Sequence, residues 1–578
     1  MTMNTQRSRA HESRAAIQQL YISMRHLFIR GSYKPLGVSG EAMIEALKKL
    51  SPEIYGDIND PERVELNGLH YIFQRLPQGI EECRYIRLIT REGFEHSEFQ
   101  PIVPLKRRRN CYRIDQEQMF VEMTNGRGDI YDILTHLTFM YIESEKIRRN
   151  ALDQKGRKKR DWLNLEKIIQ LEQAGKEFDR EVASTYLSTI IGRTFAETME
   201  AVRRFEATPK VNSLFHIIYW MGRLAIEEAL EKNDREISFS TALRERIGHH
   251  VYGERWANQI KSLMWRKKWF DRPLHIISSN PHSVMNSLFA VAALKEQTSG
   301  GSVEEMARML SHEENAELRR QVEEFASQHG MEQLTDTSGT NLLVQLFDLA
   351  AIPPDVLPDE IHWDLDYIRH EKPILLVMDY AFGEQAFEVM DELLKPFLID
   401  GKRIRMPVVS ISIMGKAGIL EGKKGDIMVP TAHVFEGTAD NYPIDNDFTS
   451  EDFTGHGLDV FQGTMITVLG TSLQNKDILN YFLKSSWRAI GLEMEGAHYQ
   501  KAIQAASRIR SSINPHVITR YAYYASDNPL VTGHTLASGS LGEEGVKPTY
   551  LITLKILNRI GQPHPFKKPM PELATHED

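Results

Sequence analysis

Glu493 and Glu495 flank Met494 in the run Gly491-Leu492-Glu493-Met494-Glu495-Gly496-Ala497-His498-Tyr499. The run follows an apolar-leaning stretch, Trp487 to Leu492, and precedes a helix-like one, Gln500 to Ile509, so it reads as a buried strand entering a helix. Residues two apart on a strand share a side, which places the two carboxylates together and Met494 opposite. Buried charge is costly without partners. Carboxylates so placed can hold sugar hydroxyls and stabilise the positive charge that grows as a glycosidic bond breaks. Two acids opening an exposed helix, where they suit the dipole, explain this motif alone equally well.

A third acid closes the last apolar run, Val517–Ala525, in Ser526-Asp527-Asn528-Pro529. The proline keeps Asn528 out of the helical region, so the chain turns and Asp527 projects at the sheet edge. A carboxyl there can serve as a general acid; an Asx-turn is the plainer alternative. Two further runs carry candidate binding groups. Met414-Gly415-Lys416-Ala417-Gly418-Ile419 reads as a glycine turn whose N–H groups and Lys416 could meet an anion, or as an ordinary tight turn. His433-Val434-Phe435-Glu436-Gly437-Thr438-Ala439-Asp440-Asn441-Tyr442 could supply an aromatic face for a base and hydroxyls for a phosphate or sugar, or be a surface loop with an ordinary core Phe. The strand Pro373–Met378 leads into Asp379-Tyr380-Ala381-Phe382-Gly383-Glu384, a turn opening a helix.

These pieces must be held by elements. From Pro373 onward, strand-like runs alternate with helix-like ones, which argues for an α/β domain with a largely parallel sheet, its ligands at the carboxyl ends of strands. Residues 1–335 read as mainly helical, with a short β-like piece at Asn110–Met123 and an isolated strand at Leu274–Ser278. The stretch 336–365, with its Pro353-Pro354 and Pro358, reads as a connection, 366–562 as the α/β domain and 563–578 as a loose tail. His249-His250 near Glu254 is discounted as a metal site, because adjacent histidines do not share a helix face.

The chain has 578 residues, enough for two or more domains, and its 41% hydrophobic and 26% charged composition is ordinary for a globular protein. A net charge of −9 argues against a general nucleic-acid binder. Two cysteines, Cys83 and Cys111, a polar amino terminus and no apolar run of membrane-spanning length lead to the expectation of a cytoplasmic protein with no membrane partner.

Taken in order, the C-terminal motifs resemble the purine nucleoside phosphorylase / nucleosidase superfamily over about Pro373 to Ile560. The pair Glu493-Met494-Glu495 and Ser526-Asp527 is the most specific, and the likeness is nearest to AMP nucleosidases, which also carry a large N-terminal domain. The resemblance implies a mostly parallel mixed sheet flanked by helices and a homo-oligomer, a trimer or hexamer. It also implies a small-molecule purine nucleotide or nucleoside as partner, with no cofactor and no metal. It makes Asp527 the acid at purine N7, Glu495 the grip on the ribose hydroxyls and Met494 a floor under the sugar. Glu493 would line the site or order a neighbour, and Phe435 would stack on the base. Gly415, Lys416 and Gly418 would form the anion or nucleophile pocket, with Glu436, Thr438, Ser526 and Gly383 as further contacts.

Two departures from the superfamily pattern matter. Arginines that clamp phosphate in the phosphorylases are replaced here by Ile413 or Met414 and by Val434 or Phe435, which favours water as the nucleophile. The Glu that activates water in the hydrolases sits on an earlier strand not identified before Pro373, with Glu384 as stand-in and Glu493 as alternative. The leading expectation is hydrolysis of AMP to adenine and ribose 5-phosphate. A nucleosidase or phosphorylase for unphosphorylated purine nucleosides, methylthioadenosine included, and a non-catalytic nucleotide sensor are the other readings.

Overall fold

The computed structural model describes residues 3–107, 109–123, 126–297, 301–438, 440–532, 541–565 and 572–573. The chain forms two compact units: Met1–Thr124 with Gly128–His249 and Ser472–Ile478, and Asn125–Arg127 with His250–Thr471 and Leu479–Asp578. Among the described residues no helix is long and apolar enough to cross a membrane.

The first unit is helical around a five-stranded sheet. Its strands are β1 (Ser32–Tyr33), β2 (Tyr85–Ile89), β3 (Cys111–Arg113), β4 (Gln118–Glu122) and β5 (Glu236–Phe239), in the order β1-β5-β2-β4-β3. The β-like piece expected at Asn110–Met123 is the antiparallel β3–β4 pair. Local chemistry sets the helix starts: Thr194 and Glu197 close a capping box ahead of Phe195–Glu206, satisfying amides that have no partner inside the helix.

The second unit is built on strands β6 (Leu274–Ser278), β7 (Met331–Leu334), β8 (Val344–Asp348), β9 (Ile374–Met378), β10 (Phe397–Ile399), β11 (Lys402–Ile404), β12 (Val408–Ile419), β13 (Ile427–Phe435), β14 (Asn441–Pro443), β15 (Val460–Thr467), β16 (Ala489–Glu493), β17 (Ile518–Asp527) and β18 (Glu572–Leu573). Ten of them form one mixed sheet, ordered β14-β13-β15-β16-β12-β6-β9-β8-β7, with β17 bridging β12 and β13. Strands β13, β15, β16, β12 and β17 therefore close a ring. Its neighbours β6 and β9 run parallel to each other, and β6 runs parallel to β12. Strand β9 is apolar throughout because both faces are covered: Ile374, Leu376 and Met378 enter one core, Leu375 and Val377 the other.

Three sequence expectations are corrected. Leu274–Ser278 is no isolated strand, since β6 pairs with β12 on one side and β9 on the other. The boundary falls between His249 and His250 rather than at 335, and the supposed connection 336–365 contains β8, which is paired to both β7 and β9. Residues 250–335 look like the helices before them in composition, and only long-range pairing assigns them to the sheet. In the tail, Glu572–Leu573 pairs with β11, while 566–571 and 574–578 lie outside the described residues.

Candidate active site

Strands β13, β15 and β16 run parallel, and Phe435, Thr467 and Glu493 sit in register at their carboxyl ends. Glu493 is the last residue of β16, and Glu495 is the residue before the helix Gly496–Gln504. Both carboxylates are buried, at 3% and 7% exposure. Glu493 Oε1 accepts from the Thr467 hydroxyl, and Oε2 accepts from the N–H groups of Glu495 and Gly496. The Thr467 hydroxyl oxygen in turn accepts from Ala497 N at 3.0 Å. Glu493 thus serves the opening amides of the helix, which lack intrahelical acceptors. Both of its oxygens are thus engaged by the strand end and the helix start.

Glu495 is held differently. Its Oε1 accepts from Gly383 N at 2.9 Å and its Oε2 from Met494 N at 3.2 Å. Gly383 has φ of +55°, a left-handed conformation that glycine adopts without strain, and this aims its N–H at the carboxylate. Burial raises both acids above the ordinary 4.5, Glu493 to about 7 and Glu495, further raised by the neighbouring Glu493 charge, to about 8. Backbone donors and Lys416 act on Glu495 in the opposite sense.

Asp527, 9% exposed, ends β17 and takes the Ser526 hydroxyl on Oδ1 at 2.6 Å. Gly418 of β12 pairs with Asp527 on one side and with Leu492 of β16 on the other. The ends bearing Asp527 and Glu493 therefore flank one strand, about 10 Å apart by ordinary strand spacing. Asn528 Oδ1 accepts from Leu530 N at 3.0 Å, so the Asx-turn is present, built by Asn528.

The Gly415–Gly418 turn is not formed. Both glycines lie within strand β12 and pair with β17, the register shifting by one residue between Ala417 and Gly418. A Cβ at Gly415 would meet the Tyr380 ring at 2.8 Å, so glycine here admits an aromatic ring rather than an anion. Lys416 alone of this strand is exposed. Phe435 is half-buried and packs edge-on against His498 at 4.7 Å and Tyr442 at 5.8 Å. Glu436 is buried, with Leu469 N 3.4 Å from its Oε2. Thr438 is exposed and donates to Asp440 at 2.9 Å, which places it in a surface turn. Glu384 is engaged by Arg127 at 3.0 Å.

Residues not foreseen from the sequence hold the frame. Tyr499 Oη lies 2.7 Å from Ser278 Oγ at the end of β6 and accepts from Ala381 N at 3.1 Å, tying two strand ends to the helix after Glu495. His433 Nε2 lies 3.1 Å from Tyr523 Oη, and burial pushes this imidazole down to about 3. A Cβ at Gly496 would meet His433 at 2.3 Å, so only glycine lets the helix start there. Hydroxyl-bearing residues near strand ends were the available signal. A cavity of about 280 Å³ in this unit, lined by Asp445, Asp447, Arg508 and His516 among others, includes none of the candidate residues.

A family model matches residues 41–305 and 305–562, and the chain belongs to that family, a family of unknown function (DUF6909). No curated protein matches it by sequence. Among solved structures it is similar to a 5'-methylthioadenosine/S-adenosyl homocysteine nucleosidase from Campylobacter jejuni, at 10% identity and TM-score 0.30, over 50% of this chain and 99% of that one. It is similar to the futalosine hydrolase of Helicobacter pylori at 11% identity and TM-score 0.29, over 49% and 97%. For an MTA/SAH nucleosidase from Streptococcus pneumoniae the values are 10% and 0.29, over 50% and 99%.

Proposed function

We propose that the second unit is an N-glycosidase that hydrolyses a purine nucleotide, AMP to adenine and ribose 5-phosphate. The observation that carries this reading is the placement of buried carboxyls at the ends of β16 and β17 on either side of Gly418. Asp527 would give a proton or hydrogen bond to purine N7, so that the base leaves neutral. Glu495, fixed by Gly383, would hold the ribose 2′- and 3′-hydroxyls and stabilise the oxocarbenium ion. Met494, half-buried beside it, would floor the sugar, and Phe435 would face the base. Glu493 would act through the helix start it organises.

Water is the proposed nucleophile. Ile413, Met414 and Val434, standing where a phosphate clamp would need arginines, are buried apolar strand residues. Lys416 offers one charge without the bidentate fork that grips phosphate. The test is chromatographic detection of free base from AMP, adenosine and methylthioadenosine, each with and without inorganic phosphate. Adenine from AMP independent of phosphate supports the reading. Phosphate-dependent release, or release from nucleosides alone, supports a phosphorylase or nucleosidase. Nucleotide-dependent stabilisation with no free base from any substrate overturns catalysis and leaves a sensor.

A further inference from the structure

We propose that Glu81, Glu82 and His216, all in the first unit, bind a divalent transition-metal cation. One oxygen of each acid and one ring nitrogen of the histidine lie within 4.8 Å of one another, close enough to share an ion. Glu81 and Glu82 end the single turn Ile80–Glu82, which follows Gly79 at φ +86°. His216 lies in the first turn of the helix Leu214–Glu231, its N–H donating to the capping Ser213 hydroxyl at 3.2 Å. His216 Nε2 is 2.8 Å from Glu82 Oε1 and 3.8 Å from Glu81 Oε1.

Among the described residues, buried carboxylate oxygens stand here without donors. Glu81 is 1% exposed; Asn212 donates to its Oε1 at 2.6 Å, but its Oε2 is buried with no hydrogen-bond partner among the described residues. Glu172, whose charge also acts on His216, takes the Ser213 hydroxyl on Oε1 at 2.7 Å and has a buried Oε2 likewise unpartnered. Against these three carboxylates stand Arg113, on Glu82 Oε2 at 2.9 Å, and the His216 ring, whose proton a bound cation would displace. A buried carboxylate oxygen without a donor is expensive, and a cation removes that cost. Two carboxylate oxygens with one imidazole nitrogen suit zinc, manganese or ferrous iron rather than an oxygen-only calcium site. Asn212 and Arg113 would fix the acids from behind, as outer hydrogen bonds do for metal-binding side chains.

The experiment uses untagged full-length protein stripped with a chelator, titrated with zinc by calorimetry and checked with manganese. One equivalent per chain is expected at micromolar affinity, falling at least about a hundredfold in Glu81→Gln and His216→Gln with circular dichroism unchanged. No saturable binding by the wild-type protein, or binding undiminished in both variants, overturns the proposal. Should the variants fail to fold, anomalous scattering from zinc-soaked wild-type crystals decides. An ion between Glu81, Glu82 and His216 supports the site, and one bound only at other positions refutes it.

Discussion

Two pairs of acids, Glu81 (buried) with Glu82 (half-buried) in the first unit and the buried Glu493 and Glu495 in the second, differ in the partners the fold gives them. Burial holds the Glu81 carboxyl above the ordinary value and would raise Glu82 too, but the hydrogen bond from His216 and the Arg113 charge carry Glu82 below it. Glu493 and Glu495 receive backbone N–H groups and a hydroxyl, and their carboxyls stay well above it. Dipolar donors fix a carboxylate in place without fully compensating its burial, whereas a guanidinium or a cation compensates the charge itself. On the two proposals made above, the first pair would hold a cation and the second a sugar.

The comparison is broken most forcefully at the second pair. Asp527→Asn and Glu495→Gln are each expected to lower the rate of adenine release by at least about a hundredfold. Near wild-type rates in both would remove the carboxyls from the chemistry. Glu493→Gln tests positioning: its amide replaces one of the two accepting oxygens by an NH2 donor, so the Thr467 hydroxyl and the Glu495 and Gly496 N–H groups cannot all be accepted as they are by the carboxylate, and a loss of about 2 kcal/mol in denaturant unfolding is expected. An unchanged unfolding midpoint would show that the helix start does not depend on that carboxylate.

Acidity sharpens the contrast next. On the proposed reading the grip on the sugar hydroxyls requires an ionised Glu495, so kcat/KM is expected to rise about tenfold per pH unit and level above about 8, the limb vanishing in Glu495→Gln. Stability runs the other way. The folded state holds these protons more tightly than the unfolded chain, so the stabilisation is complete below 4.5 and is lost as pH rises towards about 8. Thermal midpoints measured across that window should therefore decline more steeply in the wild-type protein than in Glu495→Gln. The smallest effect expected is that of Gly383→Ala, about 1 kcal/mol of stability from the positive φ, read as a shifted unfolding midpoint.

Much of the site's outline was legible because its signals are local. Apolar runs ending in Glu493-Met494-Glu495 and Ser526-Asp527 are strands β16 and β17, and both acids fall at strand ends. Glycines misled where their role is non-local: Gly415 and Gly418 read as a turn, yet they continue β12, and Gly415 makes room for a ring 35 residues earlier in the chain, Tyr380. The short run Leu274–Ser278 carried no mark of its place, since membership of a sheet is decided by partners over a hundred residues away. Glu81, Glu82 and His216 were invisible as a group for the same reason.

By itself the sequence determined which residues carry charge, which runs become strands or helices, and where an acid follows an apolar segment. Those properties depend on side chains a few positions apart. The tertiary structure decided that Glu493 serves a helix start while Glu495 is held by Gly383, that Arg127 engages Glu384, and that β6 belongs among the central strands. Each of those outcomes depends on which distant groups burial brings into contact, and it is those contacts that set the charge state and the role of each acid.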